Sequence, residues 1–234
     1  MFYKTIGIIL KRENFRENDR LITIYTRNYG KIETIAHGTR KIKSKLAGHL
    51  EPFTLVDLII VKGKNFDKII GSKTINSFCN LKFDLIKIKQ GAQVLKTIDA
   101  MTKVHLKDEK IFKLLRKTLE IIEEKNNGEI NLWPDVYFFI LRLLSILGYK
   151  PELYQCLRCK IKVKPNGNVF SLKFGGLLCQ KCKIIDSDNL NISTNAIKIF
   201  RLILEKKEFK KIKINFNLFQ EIKKIIDLFL KYHQ

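Results

Sequence analysis

Four of the five cysteines stand in two pairs: Cys156 and Cys159 in "ELYQCLRCKIK", and Cys179 and Cys182 in "GGLLCQKC". The spacing C-x2-C-x19-C-x2-C is one that zinc sites use. A tight turn sets two thiolates on one side of a tetrahedron and a second turn supplies the other two. Zinc accepts that shape because its filled d shell opposes no geometry, and it holds sulfur at about 2.3 Å. Disulfides are the alternative, but they are uncommon in a reducing cytosol. Four sulfurs fill the coordination sphere and leave no place for a reactive water, so the site reads as one structural Zn2+. The intervening "KIKVKPNGNVFSLKFGGLL" has turn residues at Pro165-Asn166-Gly167 and Gly175-Gly176 around alternating "VFSLKF". That pattern predicts a short hairpin pinned by metal, a zinc ribbon or knuckle spanning 154–184. Cys79 lies far from both pairs and reads as a small core residue. The metal signal says little about activity, because zinc ribbons occur in many nucleic-acid proteins and elsewhere.

No other arrangement of reactive residues emerges. "GKNFDKIIGSK" has glycines and lysines without the G-x-x-x-x-G-K-[ST] spacing of a phosphate loop. The four histidines, at 37, 49, 105 and 233, are scattered, and none sits in H-E-x-x-H. A G-x-S-x-G elbow and a paired-carboxylate signature are both missing. The sequence therefore points to a binding protein with no catalytic residues.

Charge points to the partner. The 234 residues contain 45 Lys and Arg against 23 Asp and Glu, a formal net charge of +22. Such a surface attracts polyanions. Lys, Ile and Asn abound, however, and AT-rich coding produces that composition whatever the function. The arginines are more telling, since the same bias depletes them. Of nine, five fall in the first forty positions: Arg12, Arg16, Arg20, Arg27 and Arg40. Their forked guanidinium suits phosphate oxygens better than an ammonium does. "GTRKIKSKLAGH", Gly38 to His49, adds Lys41, Lys43 and Lys45 to Arg40 with no acidic residue between. A glycine-flanked basic loop of this kind suits a groove that tracks a phosphate backbone, although a solvated loop would look the same. Tyr3, Phe15, Tyr25 and Tyr29 could offer stacking faces, but most suit strand faces or core.

These residues must be positioned by two kinds of element. "TIGIILKR" (5–12), "RLITIYTR" (20–27), "KIETIAHG" (31–38), "FTLVDLIIVKG" (53–63) and "DKIIGSKTINSF" (67–78) alternate like strands between polar turns. Five consecutive strands suit a small curved barrel, OB-fold or SH3-like. From about Lys82 the period becomes helical. Leu85, Ile88, Ala92, Leu95 and Ile98 share one predicted face. A second helix is expected over 110–125 with "NNG" at 126–128 as its stop. A third begins with Pro134 in its first turn and ends at Gly148, apolar on most sides and so central to a bundle. After the cysteine segment comes a last pair of helices. One has Ser193 as N-cap, and the other a stripe of Ile222, Ile225, Ile226 and Phe229. The class is α+β, with an N-terminal domain over 1–80 and a helical domain over 81–234. The N-terminus lacks a signal-peptide layout and no run of about 18 uncharged apolar residues occurs, so a cytoplasmic protein without a membrane is expected.

"ENDRLITIYTRNYGKIETIAHGTRKIKSKLAGHLEPF", together with "LGYKPELYQCLRCK" and "GGLLCQKC", resembles the bacterial RecO family of DNA recombination and repair mediators. The resemblance implies an N-terminal five-stranded OB-fold, a C-terminal helical domain and a zinc element on the latter held by Cys156, Cys159, Cys179 and Cys182. It also implies a non-enzymatic activity near the nucleoid: binding single- and double-stranded DNA, annealing complementary strands, contacting the C-terminal tail of single-strand binding protein and, with RecR, helping to load RecA. Residues after Asn189 match less distinctly, which leaves the tail's pocket unassigned. By position, Arg16 and Arg20 flank the family's charged turn, and Arg40, Lys41, Lys43 and Lys45 fall in its basic loop. They are expected to touch phosphate, not base edges, since annealing must work on any sequence. Two competing readings are a zinc-ribbon protein associated with RNA or the ribosome, and a metal-dependent nucleic-acid enzyme, which would need an open zinc position.

Overall fold

The computed structural model describes residues 1–125, 134–205 and 214–234. The expected helix stop at 126–128 lies outside these. Two compact units divide the chain, Met1–Ile130 and Asn131–Gln234.

The first unit is built on five strands: β1 (Phe2–Asn14), β2 (Arg20–Thr26), β3 (Gly30–Ala36), β4 (Leu55–Val61) and β5 (Asp67–Asn76). They close in the order β1-β2-β3-β5-β4, with β3 and β5 parallel at the seam and every other pair antiparallel. This five-stranded arrangement is the OB-fold, which the strand pattern alone could not separate from an SH3-like barrel. One long strand makes closure possible. The first part of β1 pairs with β4 from Phe2 to Ile8, and the second with β2 from Gly7 to Asn14. A register shift between Ile9 and Lys11 lets the strand bend from one neighbour to the other. Ile9, Ile22, Ile24, Ile32, Val56, Leu58, Ile60 and Ile69 fill the interior. The outer face of β2 is covered too: Tyr25 is fully buried, its hydroxyl donating to the Asp108 carbonyl at 3.3 Å. Tyr25 is thus unavailable for stacking.

Three helices follow in the same unit: α1 (Cys79–Phe83), α2 (Leu85–Met101) and α3 (Glu109–Glu124). The carboxylates of Asp84 and Asp108 cap α2 and α3, each accepting from two backbone N–H groups of the first turn. The buried face of α2 differs from the expected one. It runs through Lys87, Gln90, Gly91, Val94, Leu95 and Ile98, while Leu85 is exposed. Gly91 turns inward because the Phe53 ring lies over it, 2.9 Å from where a Cβ would stand. Lys87 buries its stem and donates from Nζ to the Glu123 carbonyl at 3.0 Å, satisfying a C-terminal carbonyl of α3. Cys79 opens α1 at the surface with its sulfur 2.9 Å from Ser77 Oγ, and is not a core residue.

The second unit sets α4 (Pro134–Ile146) against α5 (Thr194–Glu205) and α6 (Phe216–Tyr232). Helix α4 is buried around its whole circumference from Val136 to Leu141, as its composition required. Ser193 Oγ accepts from Ala196 N at 3.1 Å, the expected cap of α5. Ile222, Ile225, Ile226 and Phe229 are all buried on α6. A three-stranded sheet, β6 (Val169–Ser171), β7 (Gly176–Leu178) and β8 (Leu190–Asn191), lies in the order β7-β6-β8. Phe170 anchors it, meeting Phe200 and Phe229 edge-on at 6.2 and 5.3 Å. Among the described residues no helix is long and apolar enough to cross a membrane.

Candidate metal centre and nucleic-acid interface

Each cysteine pair sits on a tight backbone turn. In the first, Lys160 N donates to Cys156 O and Cys156 N to Ile161 O, both at 2.9 Å, with Lys160 in the left-handed region at φ +59°. In the second, Cys182 N and Lys183 N both donate to Cys179 O, at 2.9 and 3.0 Å. The β6–β7 hairpin brings the turns together, so that all four Sγ atoms lie within 4.8 Å of one another. Ligands held tetrahedrally at about 2.3 Å are about 3.8 Å apart. Cys159 Sγ and Cys179 Sγ stand 3.8 Å apart, and all five cysteines are free thiols. The four sulfurs could therefore hold one metal ion.

Two of the thiols are shifted in opposite directions. Burial pushes Cys156 up most strongly, yet N–H donation from Cys179, Cys159 and Arg158 outweighs it and holds the group low, at about 6. Burial and the neighbouring sulfurs push Cys182 up to about 12. A thiolate at Cys156 thus opposes a second one at Cys182, and a cation among the sulfurs would relieve that opposition.

The basic residues lie on or beside two connections of the barrel, β1–β2 and the one that follows β3. Arg16 lies in the β1–β2 loop, Arg20 begins β2, and Arg40, Lys41, Lys43 and Lys45 follow β3. Arg40 joins the two loops, donating from its backbone N to Asn18 O and from Nη1 to Arg16 O, each at 3.1 Å. All but the half-buried Arg20 are exposed. None of the six forms an ion pair with a described residue, whereas Arg12 pairs with Glu51 and Arg27 with Glu109. Of the five arginines clustered in the sequence, two are paired with carboxylates, and Arg16, Arg20 and Arg40 pair with none among the described residues. No hydrogen bond links Lys43 or Lys45 to the Arg16–Arg40 pair among the described residues.

Sequence reasoning missed the residue that fixes this arrangement. Asp19 is buried between the loops and accepts from Gly38 N at 2.9 Å and from His37 Nδ1 at 2.8 Å. The Gly38 N–H is the main cause that holds its carboxyl below the usual range. Asp19→Asn should cost about 1–3 kcal/mol, because a buried donor loses its charged acceptor. Urea denaturation would measure this. A carboxyl held low contributes stability above its unfolded pKa of about 3.9 and loses it as pH falls through the folded value. The gap between wild type and variant should therefore close below about pH 4.

A second addition comes from the β4–β5 loop. Phe15 and Phe66 meet edge-on at 5.8 Å, with the Arg16 guanidinium 5.3 Å from the Phe15 ring centre. Lys62 and Lys64 are exposed on the same loop. The β1–β2 and β4–β5 loops bracket the ligand face of oligonucleotide-binding OB-folds, and the "KGKN" run is the available signal. Phe15, partly exposed, remains a stacking candidate, while Tyr3 and Tyr29 are occupied with one another at 4.6 Å.

The chain is similar in sequence to proteins named DNA repair protein RecO. That of Alkaliphilus metalliredigens is 30% identical over 100% of this chain and 94% of its own length. That of Dehalococcoides mccartyi is 33% identical over 94% and 86%, and that of a Roseiflexus species 33% over 86% and 69%. The family models described as recombination protein O N terminal and recombination protein O C terminal match residues 1–78 and 83–234. With both matched in order along an OB-fold barrel and a helical unit bearing four convergent cysteines, the chain belongs to the RecO family of DNA repair proteins.

Proposed function

We propose that this chain is a non-enzymatic recombination mediator that binds single- and double-stranded DNA through its phosphates and anneals complementary strands. In this reading it works with RecR and the C-terminal tail of single-strand binding protein to load RecA. The observation that carries it is the set of six cations, Arg16, Arg20, Arg40, Lys41, Lys43 and Lys45, none in an ion pair with a described residue. Such a ledge neutralises two mutually repelling strands without reading bases, so pairing can nucleate between any complementary sequences. The metal is zinc, held by Cys156, Cys159, Cys179 and Cys182. Its donor set is full, which suits a structural ion and leaves no position for water.

Fluorescence anisotropy with labelled single-stranded DNA across a salt series tests this reading. Replacing Arg40, Lys41, Lys43 and Lys45 together with alanine removes four phosphate contacts. The slope of log affinity against log salt should then flatten by about 3, at about 0.7 per contact on single strands, and affinity at low salt should drop by about tenfold or more. An unchanged slope would remove this loop from the mechanism.

A further inference from the structure

The two cysteine turns share more than their sulfurs. "CLRCK" and "CQKCK" each place a cation between the cysteines and a lysine after the second: Arg158 and Lys160, then Lys181 and Lys183. Convergence of the four Sγ atoms brings together the two turns that bear these cations. Lys162, Lys164 and Lys173 add to them. All seven are exposed, none forms an ion pair with a described residue, and no Asp or Glu occurs from 155 to 185. Phe174 is exposed in the β6–β7 hairpin with Lys173 Nζ 5.9 Å from its ring centre, which offers a base a flat apolar surface beside a cation.

A plainer account is that the cations balance the metal. Four thiolates around Zn2+ leave two negative charges, which two neighbouring cations would answer. Seven exceed that need, and three of them lie outside the turns.

We infer that the metal module is a second phosphate-binding surface, so that one chain holds two nucleic-acid segments, one on the barrel and one on the module. This rests on the DNA-binding reading of the barrel. It supplies what annealing by a single chain needs, two strands retained at once.

The test uses the full, zinc-loaded chain and two non-complementary oligothymidylates of about twelve nucleotides, within the site size of one OB-fold, carrying donor and acceptor dyes. Wild type should bind two per chain and bring the dyes together. The module variant Arg158→Gln, Lys162→Gln, Lys181→Gln, Lys183→Gln leaves the left-handed Lys160 in place. It should retain one strand with affinity within about twofold, and lose about tenfold or more in energy transfer and annealing rate, while keeping its zinc. Full energy transfer by this variant would overturn the inference and leave the barrel reading intact. Loss of zinc, with restored energy transfer when zinc is added in excess, would assign the cations to the metal and also overturn it. Wild type that binds no strand at low salt would instead defeat the barrel reading. A measurement free of variants is the reactivity of Lys162, Lys181 and Lys183 toward an amine-acylating reagent. DNA should protect them in wild type, and in the barrel variant at higher DNA concentration. Equal reactivity with and without DNA would refute the second surface.

Discussion

Stripping the proposed zinc, or replacing Cys156 with serine, is expected to unfold the two cysteine turns while the helices α4, α5 and α6 persist. The sheet that supports them has strands of three, three and two residues, too few to be stable alone. Its core beneath the sulfurs is only Cys156, Val169 and Leu178, with Leu157, Cys179 and Cys182 packed against it. Binding zinc in such a site contributes on the order of 10–16 kcal/mol to local folding, more than the apolar contacts of this cluster can. Without the ion, the Cys182 thiol, which burial and its neighbours push up, remains protonated, and no metal bridges the two turns. Cys156 is the most damaging position because it is fully buried and accepts from Cys179 N at 3.4 Å. Hydrogen exchange should rise across 155–163 and 179–185, but less at Phe170, which Phe200 and Phe229 hold from the helical side. A chromophoric chelator should release about one zinc per chain. Unaltered exchange after complete removal would show that the turns stand without metal.

The second large effect is expected from Gly30→Ala in the barrel. Gly30 starts β3 at φ +67°, a conformation that strains any side chain. Space is lacking as well. A Cβ there would overlap the carbonyl oxygen of Leu106 and lie 2.5 Å from its carbon and 3.0 Å from Lys107 N. These are backbone atoms of the segment joining α2 to α3, tied to β3 by donation from His105 N to Lys31 O at 2.8 Å. Neither side can yield without breaking that bond. Backbone strain of about 1–2 kcal/mol and overpacking of about 1–3 kcal/mol together predict a loss of roughly 2–5 kcal/mol. Chemical denaturation would show it as a lower midpoint, and a variant as stable as wild type would mean that the segment moves freely.

Why some features are legible in the sequence and others are not follows from the kind of signal each leaves. The strands of the barrel alternate because one face is always core, so Ile22 and Ile24 of β2 and Val56, Leu58 and Ile60 of β4 stand out by their spacing alone. The cysteine turns are legible because thiolate geometry fixes the spacing. Helix α2 defeats the same reasoning because its buried face includes Lys87 and Gln90, which periodicity counts as solvent-facing, while Leu85 is exposed. Such a face forms only because Glu123 O and the Phe53 ring await it, and both come from distant segments. Strand β8 is two residues long and leaves no period to detect. Asp19 is invisible for a similar reason. A single acid in a polar turn acquires its meaning from His37 and Gly38, which only the closed barrel places beside it.

The loops that present the barrel's cations are shaped by backbone hydrogen bonds, the Asp19 carboxylate and the Arg40 guanidinium, not by the lysines. Lys41 N reaches Gly38 O and Ser44 N reaches Lys41 O, whereas the ammonium groups at 41, 43 and 45 make no bond to a described residue. Shape and charge are therefore separable here. A lineage can add or discard a lysine on this connection and retune its grip on a polyanion in small steps, without re-solving how the protein folds.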